Sequence, residues 1–186
     1  MPKQVDHAER RAEIIRGVWA LIAEAGIEAV TMRRVAAAAG VSVGRIQHYF
    51  ASRSELVRAS ARAMITAAEG TYAAEGSAPG PAARYAVDHV IPRTDAQRVG
   101  TTIWLAYVSA SVGDPEIASI LAEAKRGQED EVTRLLAEAG VAGGDAGARR
   151  RARMLVALAD GLASRVLIGD LTTEEAMAVL DEAWAP

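Results

Sequence analysis

The chain has 186 residues, of which 51% are apolar and 24% charged, and it contains no cysteine. A chain of this length can bury a core without a disulfide or metal, and the lack of cysteine excludes thiolate nucleophiles and cysteine metal sites. The net charge of −3 divides unevenly: ten Lys/Arg against six Asp/Glu over residues 1–63, and eleven against eighteen over residues 64–186.

A basic head on an acidic body is the pattern of a chain whose head meets a polyanion, although such a split also arises by chance. No apolar run approaches the ~20 residues that cross a bilayer. The opening Met1-Pro2-Lys3-Gln4-Val5-Asp6-His7 lacks the apolar stretch of a signal peptide, so a cytoplasmic protein is expected. Abundant alanine favours helix.

The first periodic segment is Ala8 to Ala25, with Ile14, Val18, Leu21 and Ile22 at helical spacing and Gly26 at its end. Thr31 can cap a helix from Met32 to Ala39, which Gly40 stops; Ser42 can cap a third through Tyr49 or Phe50. Ser52-Arg53-Ser54-Glu55 reads as a capping box opening a long helix toward Glu75. Gly76 to Pro81 reads as a loop, with Pro81 starting a helix through Val90, and Asp95 begins another. Asp114-Pro115-Glu116 is a strong helix start. Gly140 to Gly147 reads as a loop before a helix from Arg149 to Ile168. Thr172-Thr173-Glu174-Glu175 is a second capping box, opening a helix with Ala176, Val179, Leu180 and Ala183. The expected fold is all-α, with about nine helices and no strand.

Residues 32–50 fit a helix-turn-helix. Val35 and Ala36 lie on the inner face of its first helix, Ala36 small where the helices cross. Gly40 takes the sharp turn, and Val41 plugs the corner. Ile46 and Phe50, four apart, return the second helix onto the first. Val43, Gly44, Arg45, Gln47 and His48 then face outward. Arg can bond guanine O6 and N7, and Gln adenine N6 and N7. Gly44 lets the backbone approach the groove, and Thr31, Arg33, Ser42, Tyr49 and Arg53 flank the helix as candidate phosphate contacts. An ordinary tight helix–helix corner is the alternative reading.

The stretch Thr31 to Leu56, TMRRVAAAAGVSVGRIQHYFASRSEL, resembles the TetR family of one-component transcriptional regulators. Gln47 stands where that family often has tyrosine, and Arg53 where it often has lysine. The resemblance implies a helix-turn-helix DNA-binding domain over residues 1–54. It further implies a helical ligand-binding and dimerisation domain over 55–186. The layout of that second part, including Asp160-Gly161-Leu162, is similar to the subset containing the betaine-operon repressor. The implied function is a homodimeric repressor released from a palindromic DNA operator by a small molecule.

The regulatory part carries two apolar stripes on one helix. Leu155, Leu158, Leu162 and Val166 form one; Met154, Ala157, Gly161 and Ile168 form the other, interrupted by Arg165. A helix apolar on two sides is buried on two sides. The second stripe, with Val179 and Leu180, is the candidate dimer interface; a central core helix in a monomer is the alternative. Candidate ligand contacts are Met64, Ile65, His89, Trp104, Tyr107 and Val108, which also read as plain core.

Other patterns weigh little. Arg149, Arg150, Arg151 and Arg153 lie far from the motif and are expected to pair with Glu129, Asp130 and Glu131 or stay solvated. His7, His48 and His89 have no metal spacing, so no metal or cofactor is expected. No nucleotide loop or nucleophile elbow appears, so an enzyme is not expected. A constitutive DNA-binding protein with a filled core is a further alternative.

Overall fold

The structure is a computed structural model that describes residues 3–74, 78–140 and 144–184. Among the described residues there are nine α-helices, one short 3₁₀ turn and no strand. They are α1 (Lys3–Ala25), the turn Ile27–Ala29, α2 (Met32–Ala38), α3 (Val43–Tyr49), α4 (Arg53–Ala74), α5 (Pro79–Asp88), α6 (Asp95–Ser111), α7 (Pro115–Glu138), α8 (Gly144–Leu167) and α9 (Thr173–Trp184). No helix among the described residues is long and apolar enough to cross a membrane.

Most boundaries follow local chemistry. Asp114 caps α7, its Oδ1 accepting from the backbone N–H of Glu116 and Ile117 at 3.0 and 3.2 Å. Thr172 and Glu175 satisfy each other reciprocally, at 3.1 and 2.8 Å. Three starts differ from expectation. α1 begins at Lys3 and α5 at Pro79, while Gly76 and Ser77 of the expected loop lie outside the described residues. α8 begins at Gly144, so Gly144 to Gly147 are helical; the rest of that expected loop, Val141 to Gly143, lies outside the described residues. Proline is favoured in a first helical turn, and a long helix tolerates glycines near its end.

The chain divides into two compact units, Met1–Ala67 with Ile103–Leu121, and Ala68–Thr102 with Ala122–Pro186. α4, α6 and α7 contribute residues to both. In the first unit Ile14, Val18 and Ile22 of α1 join Val35, Ile46, Phe50, Leu56, Ile103 and Tyr107 in one buried cluster. This packing does not stop at residue 54: Leu56, Val57 and Ala61 of α4 belong to the core beneath the helix-turn-helix, because the inner face of α1 needs more apolar area than α2 and α3 supply. In the second unit α5, α7, α8 and α9 bury Val87, Ile91, Val132, Leu136, Leu155, Leu162, Val166 and Leu180 together.

Polar contacts tie the first core together. The Trp19 indole N–H donates to the Ser60 carbonyl at 3.2 Å. Ser60 Oγ donates to the Val57 carbonyl at 2.7 Å, which leaves it to accept from the Tyr107 hydroxyl at 2.7 Å. Burial raises the Tyr107 hydroxyl from its ordinary 10 to about 12. A folded-state value above the unfolded one stabilises below pH 10, and that contribution is lost as pH rises from 10 through 12. The loss is about 3 kcal/mol. Urea midpoints should fall over that window, and Tyr107→Phe should remove the fall. Parallel losses in both proteins would mean another group is responsible.

Candidate nucleic-acid interface

α2, the corner at Gly40 and α3 form the helix-turn-helix. Thr31 caps α2, its Oγ1 accepting from Arg34 N at 3.2 Å, and Ser42 caps α3 through Arg45 N at 3.1 Å. Gly40 has φ +65°, a conformation that costs a side chain strain. The exit from α2 is a Schellman arrangement. Val41 N donates to Ala36 O at 3.0 Å, and Gly40 N to Ala37 O at 3.3 Å.

Ile46 and Phe50 are fully buried, while Val43, Gly44, Arg45, Gln47 and His48 are exposed. The helix therefore presents one side to the core and its Arg, Gln and His to solvent, as the spacing requires. Thr31, Arg33 and Ser42 are exposed too, and Tyr49 is half-buried.

Three features escaped the sequence. Arg11 of α1 lies over the Phe50 ring, 4.4 Å from its centroid, and donates to the Tyr49 carbonyl at 3.4 Å. A cation at the last carbonyls of α3 suits the helix dipole. Gly17 lets α1 approach the corner: a Cβ there would lie 3.4 Å from Ala39 N and Cβ. His7 meets His48 and Tyr49, with ring centroids 5.8 and 5.2 Å away. Only the last had a cue, the aromatic pair at the end of α3.

Arg53 differs from expectation. Its Nε donates to the Val30 carbonyl at 2.6 Å and its Nη2 to the Ile27 carbonyl at 2.8 Å. The planar fork is held by backbone because the turn before α2 presents two carbonyls to the start of α4.

The remaining candidates scatter. Met64, Ile65 and Trp104 are half-buried against the first core, and Val108 is 40% exposed. Tyr107 is fully buried and its hydroxyl is bonded to Ser60. His89 belongs to the second unit and is half-buried. Met154 (47% exposed), Ala157 and Gly161 of α8, and Ile168 (77%) just beyond its end, all face outward. Val179 joins them at 41%, but Leu180 is fully buried. Leu180 is corrected to core: Ala176 and Leu180, one turn apart, are the residues of α9 that seal the second unit.

The arginine cluster pairs locally, Arg149 with Asp130 at 2.9 Å and Arg153 with Glu129 at 3.1 Å, while Glu131 pairs with Arg134. Asp160 holds Lys125 at 2.7 Å.

This corner on an all-helical body is that of a helix-turn-helix regulator. Residues 14–60 match the model of bacterial regulatory proteins of the tetR family, and residues 79–185 that of the BetI-type transcriptional repressor C-terminal part. The HTH-type transcriptional regulator PksA of Bacillus subtilis is 44% identical over 57 residues, which span 31% of this chain and 28% of that protein. BetI 2 of Chromohalobacter salexigens is 31% identical over 62% of this chain and 58% of its own length. BetI of Burkholderia mallei is 31% identical over all of this chain and 99% of its own length. Among solved structures, a transcriptional regulator from Saccharomonospora viridis in complex with choline superposes with a TM-score of 0.83 at 22% identity, covering 94% of this chain and 95% of that one. The chain belongs to the TetR family of bacterial transcriptional regulators, with a C-terminal part of the BetI type. That family is one of regulators, not of enzymes.

Proposed function

We propose that the protein is a homodimeric cytoplasmic repressor that binds a palindromic operator and is released by a small molecule. The observation that carries this is α3, anchored by Ile46 and Phe50 with Arg45, Gln47 and His48 exposed. A recognition helix enters the major groove with its first residues at base edges, and a two-fold dimer reads half-sites ~34–36 Å apart. Arg45, Gln47 and His48 contact bases, and Thr31, Arg33, Ser42 and Tyr49 hold the backbone.

The outward stripe of Met154, Ala157, Gly161 and Ile168 with Val179 supports pairing of two copies. Small residues in its middle allow two helices to approach closely, and nothing lies within 4 Å of a Cβ on Gly161. The BetI relatives and the choline-bound neighbour support a small effector. Effector binding favours a recognition-helix spacing that no longer fits two half-sites, with α4 carrying the motion.

Gel shifts with the DNA flanking its own gene test this. The protein should bind a palindrome there as a dimer at low salt. Arg45→Ala should cost about 1–3 kcal/mol and relax base choice at one position of each half-site. No shift on any such DNA, or equal losses on all sequences for Arg45→Ala, would count against the assignment.

A further inference from the structure

Val30 and Arg53 bracket the whole recognition motif: residues 31–52 lie between them. The Arg53 guanidinium joins these two ends. Nε and Nη2 hold the carbonyls of Val30 and Ile27 at 2.6 and 2.8 Å, and Nη2 lies 3.4 Å from Glu28. Val30 itself is fully buried, and Thr31, the cap of α2, follows it directly. On the other side Arg53 is the first residue of α4, three residues beyond Phe50, which ends α3. One side chain thus closes the base of the loop formed by α2 and α3.

The geometry points to Arg53 as a positioning residue that staples the two ends of the helix-turn-helix, rather than as a phosphate contact. The inference rests on the reading of α3 as the operator-binding helix. A planar guanidinium can hold two carbonyls in fixed directions with two nitrogens. A lysine ammonium is a point charge on a flexible stem. It keeps the charge that a phosphate needs and loses the fork that the staple needs. The two roles therefore respond oppositely to Arg53→Lys.

The test combines operator affinity across a salt series with amide exchange, for the full-length wild type, Arg53→Lys and Arg53→Ala. A staple predicts that both variants bind roughly tenfold or more weakly, that lysine gives no rescue, and that the salt slope matches the wild type. A phosphate contact predicts rescue by lysine and, for Arg53→Ala, a slope shallower by about one. Affinity unchanged in both variants, or that lysine rescue, overturns the inference. Amide exchange needs no DNA, so it tests the staple even if the wild type binds no operator, in which case the functional reading fails by itself. Faster exchange at Arg34 and Val35 in both variants supports the staple, and unchanged exchange overturns it.

Discussion

Phe50→Ala is expected to cost about 3–5 kcal/mol of stability and to abolish operator binding with it. Phe50 is the only phenylalanine of the chain and is fully buried. It sits where three supports meet. Its ring fills the first core beside Ile46, Val35 and Ile14, its backbone N–H closes α3 onto Ile46 at 2.9 Å, and Arg11 stacks on its outer face. A seven-residue helix has no stability of its own. α3 is held by Ile46 and Phe50, so removing one of the two anchors leaves the Arg45 face without a defined direction. Phe50→Leu, which keeps most of the volume, should cost under about 1.5 kcal/mol and retain binding. Urea midpoints and gel shifts on the same samples measure both effects. A loss below about 1 kcal/mol for Phe50→Ala would show that the corner is held by something else.

Mild acid is expected to destabilise the protein through His89. Burial, the charge of Lys125 and, more weakly, the charge of Arg93 lower this imidazole from its ordinary 6.5 to about 4. The folded value lies below the unfolded one, so the unfolded chain takes up the proton first. The stabilising contribution is complete above pH 6.5 and is lost as pH falls through 4, for a total of about 3 kcal/mol. Ordinary carboxylates titrate below about pH 4.5, which leaves the interval from 6.5 to 5 to imidazoles, and a variant at His89 isolates this one. Urea midpoints at pH 7.5, 6.5, 5.5 and 4.5 should fall across it, and His89→Gln should flatten the upper part of that curve. A variant as acid-sensitive as the wild type would place the origin elsewhere.

The helix-turn-helix was legible because its determinants are local. Gly40 turns where only glycine turns easily, Thr31 and Ser42 cap the N–H groups three residues on, and Ile46 and Phe50 lie one turn apart. The same holds for the starts of α7 and α9, written in Asp114-Pro115 and in Thr172 with Glu175. Periodicity also separated the outward stripe of α8 from its buried one, since the two stripes occupy different faces of one helix.

Other assignments turned on which neighbour a side chain meets. Nothing near Arg53 in the sequence shows that its fork meets carbonyls 23 and 26 residues away. Tyr107 carries no mark of its partner in the sequence, and Ser60, 47 positions earlier, takes its hydroxyl. Val179 and Leu180 are consecutive on α9 and by sequence both are candidates for the dimer interface, yet the first is outward and the second is core. Residues 103–121 join the first unit, although sequence order places them with the regulatory part. The amino-acid order by itself determined the helices, those of their ends that carry a cap, and the outward-facing Arg-Gln-His triplet, because caps, turns and periods act within a few residues. Tertiary structure alone decided which edge of each stripe is sealed and which cations are bound by backbone, because both depend on close packing between helices far apart in the chain.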